Sequence, residues 1–286
     1  MGRPHSAAAA FAHGVAGDRF FPATLAIDDP AVADELSAPT VGYLAGDEAE
    51  TTISGEYSKR LTSSIGVSVE TGWVRAKAAG EPAASGFENI ETSAKWQALT
   101  SAEHEAILSL GLSAEWSGTG AAGVGAERHT TLTPTVFFGK GFGELPETMA
   151  WARPFALTGV AGYAIPTRRR DPGEADDNPR VLSWGLSLQY SLPYLQGHVR
   201  DIGLPQPFAG MTPIVEASFE TPVSGPARTT TGTINPGVIW SGRRLQLGAE
   251  AMLPVNRASG RGVGVLMQLH LYLDDMLPRS LGRPLW

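Results

Sequence analysis

The sequence predicts an all-β fold, an antiparallel up-and-down transmembrane β-barrel of twelve strands. Three observations predict it. Stretches that alternate apolar and polar residues recur along almost the whole 286-residue chain. Aromatic residues sit near both ends of the apolar rows. No run of about 18 apolar residues marks a spanning helix, and a barrel needs none, because only every second residue of a strand meets lipid.

Composition narrows the function classes. A net charge of −7 argues against a nucleic-acid partner, since phosphate binding needs a basic surface. With no Cys there are no disulfides, thiolate metal sites or Cys nucleophiles. The 34 Gly and 21 Pro suit many turns and small residues on a crowded inner face.

Taken in order, residues 1–12 read as the remnant of an export signal, with Arg3 before Ala7, Ala10 and Phe11 and a small-x-small site at Ala10-Phe11-Ala12. Residues 13–37 have no clean period and are acidic through Asp28, Asp29, Asp34 and Glu35. They read as a periplasmic lead-in with a short helix over 31–36, either staying in the periplasm or entering the lumen as a plug. Residues 38–274 form the barrel and 275–286 a periplasmic tail. Strands are expected near 39–46, 50–60, 63–76, 87–99, 103–117, 129–140, 152–165, 180–192, 209–222, 231–241, 244–254 and 261–274. In 181–192, Leu182, Trp184, Leu186, Leu188, Tyr190 and Leu192 point one way, and Ser183, Gly185, Ser187, Gln189 and Ser191 the other.

Short turns at 60–63, 100–102 and 241–243 are assigned to the periplasm, and longer connections at 78–86, 117–128, 166–179 and 222–230 to the outside. The long connection 193–208 is an exception on the periplasmic side. Outward aromatics form two girdles: Trp73, Trp116, Tyr163 and Trp184 near the outer strand ends, and Tyr57, Trp96, Tyr190 and Trp240 near the inner ends.

The inward parity is predicted to line a pore. It collects Glu56, Glu70, Glu91, Glu105, Glu115, Glu216, Glu220 and Glu250, with Lys95 the one clear basic residue at membrane depth. Asn235, Gln268, His270 and Tyr272 add neutral polar groups. Carboxylates in a narrow pore hold a negative potential and attract cations. Inward apolar residues, among them Ile107, Phe137, Ile214 and Ile239, suit either an organic solute or contacts with a plug.

Weaker patterns carry less. His198-x-x-Asp201 is an incomplete metal pair. Asp171, Glu174, Asp176 and Asp177 lack EF-hand spacing. Arg168–Arg170 suit lipopolysaccharide phosphates as well as solvent. Gly139-Lys140-Gly141-Phe142-Gly143 lacks the P-loop pattern and reads as a turn.

None of His104, His129, His198 or His270 has the Ser two residues on that outer-membrane lipid hydrolases use, so no enzyme, metal or cofactor is expected. The hairpin series, the export-like start and the terminal strand resemble bacterial outer-membrane channel proteins. More loosely, the layout over 39–274 is similar to the "transporter" barrels of the meta-pathway of phenol degradation. That resemblance implies a passive channel for a small solute in outer-membrane lipid and lipopolysaccharide. The alternative is a non-conducting scaffold holding a periplasmic or surface protein partner.

Overall fold

The computed structural model describes residues 14–46, 48–78, 80, 82–225 and 227–286. The export-signal reading of residues 1–12 lies outside them. The strands are β1 (Glu35–Leu44), β2 (Glu48–Arg60), β3 (Ile65–Ala78), β4 (Ile90–Ser101), β5 (Ala106–Trp116), β6 (Thr131–Gly141), β7 (Phe155–Pro166), β8 (Val181–Tyr190), β9 (Met211–Pro222), β10 (Thr231–Ser241), β11 (Leu245–Pro254) and β12 (Gly264–Tyr272). Each pairs antiparallel with its chain neighbours, and β12 pairs with β1, so the sheet closes on itself. Closure removes the two edges that lipid cannot hydrogen-bond. At its outer end β3 pairs instead with a short strand, Ala84–Phe87, which continues the line of β4 across Glu88 and Asn89.

Period-two alternation becomes two faces. On β8, Leu182, Trp184, Leu186 and Leu188 are exposed on the outside, while Ser187 and Gln189 are buried inside. Exposed Leu, Val and Met side chains form the same outer row on β5, β6 and β12. Water would make such a surface costly; lipid does not.

Three expectations need correction. The first strand starts at Glu35, not 39. Ser37 faces Glu56 and Thr40 faces Ser54, so Ala38 and Pro39 carry one extra residue as a bulge. A bulge tolerates a proline that cannot donate to the ladder. The helix expected over 31–36 is absent: Ala31–Asp34 is irregular, and the Asp34 carbonyl accepts from the Leu273 N–H at 2.9 Å. Finally, a second long connection, residues 142–154, lies on the periplasmic side, because two turns of 3-10 helix (Glu147–Ala152) precede β7.

Candidate functional site

Four inward carboxylates stand side by side on adjacent strands. Glu56 faces Glu70, Glu70 faces Glu91, and Glu91 faces Glu115. Like charges directly opposed across strands are destabilising, on a scale of about 0.2–1 kcal/mol per pair. The ladder borders a cavity of about 420 Å³ in the outer half of the lumen. Asp28, Glu127 and Glu220 add carboxylates to its lining, and among the described residues Lys95 is its one cation. Low-dielectric walls around such a set focus a negative potential.

Residues 21–34 run through the interior as irregular backbone. Wall side chains satisfy its polar groups. Glu216 on β9 accepts from the Leu25 and Ala26 N–H groups, both at 2.8 Å. Gln246 on β11 donates to the Ala23 carbonyl at 2.7 Å, and Ser109 on β5 to the Pro30 carbonyl at 2.5 Å. Gln97 on β4 accepts from the Val32 N–H at 3.0 Å. Buried backbone groups need partners, and here the inward polar row supplies them. The inward apolar row supplies packing: Ala16, Phe21, Ile107 and Ala156 form one buried cluster.

Two buried ion-pair clusters anchor this segment at the periplasmic mouth. Before it, Arg19 is fully buried and bonds Glu105 at 3.1 Å, the Pro154 carbonyl at 3.1 Å and the Arg153 carbonyl at 2.5 Å. Its guanidinium carbon lies 3.7 Å from the centre of the Tyr194 ring, whose hydroxyl donates to Glu105 at 2.8 Å. Burial, then the hydrogen bond to Glu105, pushes the Tyr194 hydroxyl up to about 12. Glu105 takes a positive φ of 45°, unusual for a residue with a side chain. After the segment, Asp34 is fully buried and accepts from Lys59 Nζ at 2.5 Å, the Arg60 N–H at 2.9 Å and Arg60 Nε at 2.8 Å.

The predicted inward residues therefore divide. Glu56, Glu70, Glu91, Lys95, Glu115 and Glu220 border the outer cavity. Glu216, Asn235 and Glu250 are buried, with Asn235 directly opposite Glu216. Gln268 reaches Thr40 at 3.3 Å. His270 sits between Ser37 at 2.7 Å and Glu35 at 3.1 Å. Tyr272 donates to Gln246 at 3.1 Å. Glu105 lies at the periplasmic mouth, paired with Arg19. The aromatic girdle residues keep the outward parity: Trp96, Trp116 and Trp184 are exposed, and Tyr57, Trp73, Tyr163, Tyr190 and Trp240 half-buried. Trp184 stacks on Phe219 with ring centres 4.4 Å apart.

Sequence reasoning missed Arg19, Lys59 and Arg60, and the buried bonds of Asp34 and His129. One signal was present for Arg19: the glycine row of residues 139–143. A Cβ on Gly141 would meet Glu105 and Arg19 at 2.2 and 2.6 Å, and one on Gly143 would meet Tyr194 and Glu105 at 2.2 and 2.3 Å. That stretch is the end of β6 and the start of a turn, opened for a buried ion pair.

The outer loops explain the weaker patterns. Arg169 and Arg170 pair within their own loop with Asp177, at 2.7 and 2.8 Å. Buried His129 bonds Asp171 at 2.9 Å and Glu127 at 2.9 Å. On the other side, in the periplasmic connection, His198 lies 3.6 Å from Asp18. The hydrogen bond from His129 holds the Asp171 carboxyl below its ordinary value. A depressed carboxyl contributes stability above its unfolded value and loses it as pH falls through the folded one. The loop 167–180 is therefore expected to gain amide exchange and protease cleavage only when pH drops below the usual carboxylate range. Protection unchanged in strong acid would contradict this.

Solved structures share the fold. The chain aligns with an outer-membrane channel from Pseudomonas putida F1 at a TM-score of 0.61 and 12% identity, over 88% of this chain and 99% of that one. The NanC porin aligns at 0.50 and 9% identity, over 82% and 98%. The KdgM porin aligns at 0.49 and 10%, over 83% and 98%. No family model and no curated protein matches the sequence. The chain has the fold of bacterial outer-membrane channels, and its closed barrel with an apolar exterior belongs in that membrane.

Proposed function

We propose that the protein is a passive channel whose outer vestibule favours cations and whose lumen is narrowed by residues 14–34 acting as a plug. The observation that carries this reading is the ladder Glu56–Glu70–Glu91–Glu115 on one water-facing wall, with Lys95 the one cation beside it among the described residues. Four opposed carboxylates cost stability; what they supply in return is a negative potential in a narrow passage. Transport needs no covalent step, only diffusion past weak sites.

The test is reversal potential across a planar bilayer under a salt gradient. The parent is expected to prefer cations. Replacing Glu70 and Glu91 together by Gln is expected to move the reversal potential most of the way to zero. The same change relieves three opposed pairs and raises stability to urea by about 0.5–2 kcal/mol. Anion preference in the parent would sink the cation claim.

The periplasmic end supports a second reading, a scaffold for a protein partner. Trp286, Phe208 and Ile202 are exposed there, at 82%, 53% and 49%. A stoichiometric partner recovered by pull-down, with no solute flux in liposomes, would favour it.

A further inference from the structure

The plug does not occupy the lumen evenly. Against β8, β9 and β11 it is in tight contact: a Cβ on Gly185 would meet Ile27 at 2.5 Å, and one on Gly248 would meet Leu25 at 2.5 Å. Glu216 and Gln246 bond its backbone on the same side. Facing β1 to β4, Val32 bonds Gln97 on β4 at 3.0 Å and would meet a Cβ on Gly66 of β3 at 2.9 Å, but beside it cavities open. The outer cavity of about 420 Å³, a small void of about 20 Å³ and a third of about 250 Å³ all border Asp28 and Glu56. The third reaches Ser37 on β1 and His270 on β12. Lys95, which borders the first two cavities, extends from β4 to Asp28, which borders all three. Its Nζ is 2.8 Å from Asp28 Oδ2, 2.9 Å from the Asp29 carbonyl and 4.5 Å from the centre of the Phe137 ring.

We infer that solute passes between the plug and strands β1–β4, and that Lys95, bonded to Asp28, closes this path at its narrowest point and decides which charge crosses it. The inference rests on the channel reading above and adds to it a route and a selectivity residue. Its physical basis is competition. The groups around the crossing, Asp28, Glu56 and Glu70, are carboxylates, and Lys95 is a compact charge on a flexible four-carbon stem. A small permeant cation takes the place of the ammonium beside Asp28 as the stem swings toward the outer cavity. An anion meets the carboxylates with no such exchange. Lys95 is thus a tethered cation that a free one must displace, the knock-on logic of narrow pores.

Because the chain contains no Cys, single cysteines report access without background. Ser93→Cys and Ser54→Cys lie on the inferred route. Ser187→Cys, on β8, is fully buried on the packed side. A cationic methanethiosulfonate is applied during single-channel recording, and labelling is read by mass. Labelling at positions 93 and 54 is expected to cut conductance several-fold, and position 187 to show no effect. Lys95→Met is expected to raise conductance several-fold and strengthen cation preference, while Lys95→Arg keeps the parental values. Full current through labelled positions 93 and 54, failure of both to label, or a Lys95→Met channel identical to the parent would overturn the inference while leaving a channel. A parent that passes no current would overturn the channel reading itself, and this inference with it.

Discussion

Replacing residues 21–33 by a Gly/Ser linker of equal length is expected to raise single-channel conductance by an order of magnitude. The linker keeps both anchors, Arg19 with Glu105 and Asp34 with Lys59 and Arg60. It removes the side chains that fill the lumen, above all Phe21 at 1% exposed and Ile27 at 7%. The wall groups it uncovers, Glu216, Gln246 and Ser109, are polar and take water in place of plug backbone. A twelve-stranded barrel stands between side-chain-filled eight-stranded barrels and open porins, so its lumen is wide enough to conduct once cleared. The barrel itself should survive, because no strand-to-strand bond involves the replaced residues. It should also be weaker, by about 1.5–3 kcal/mol for each large apolar side chain no longer buried. Planar-bilayer recording beside urea unfolding in lipid vesicles reads both effects. Unchanged conductance in a folded barrel would refute the plug.

Substituting Asp34 by Ala is expected to cost about 3–5 kcal/mol of stability, the usual penalty for breaking a buried charge pair by removing one partner. Asp34 accepts three hydrogen bonds from Lys59 and Arg60, whose side chains are only 11% and 12% exposed. The loss should spread beyond the site. Lys59 also donates to the Leu281 and Arg283 carbonyls at 2.8 and 2.7 Å, and the Trp286 N–H donates to the Leu61 carbonyl at 3.0 Å. Asp34 thus joins the end of the interior segment, the β2–β3 turn and the C-terminal tail. The variant should release residues 281–286 to protease under conditions where the parent tail is protected. Asp34→Asn, which keeps an acceptor oxygen, should lose less. A change under about 1 kcal/mol in the Ala variant would show that water replaces the carboxylate without cost.

How far the sequence could be read follows the range of the interactions. The strand at 181–192 was legible because alternation is a property of adjacent residues; the structure returns it as Val181–Tyr190 with the expected outward and inward sides. The start of β1 at Glu35 is not legible locally, because the alternation is interrupted at Ala38-Pro39 and only pairing with β2 and β12 makes that interruption a bulge. The helix over 31–36 was misread for a related reason. Local composition allowed a turn of helix, while the Asp34 carbonyl and carboxylate were already committed to Leu273, Lys59 and Arg60. The inward Glu residues could be counted from parity. Their division into a ladder on the outer cavity and partners of the interior segment could not.

By itself the sequence determined the barrel, its two faces and the acidic bias of the inner one, since each is written in a period of two and holds whatever the rest of the chain does. Tertiary structure alone decided which inner residues border the outer cavity and which bond the interior segment 21–34. Those bonds join positions far apart, Ala23 with Gln246 and Leu25 with Glu216, separated by 223 and 191 residues. An irregular segment has no period to announce its partners. Its path is set by where unpaired backbone groups find side chains to satisfy them, and that becomes known only when the barrel has closed around it.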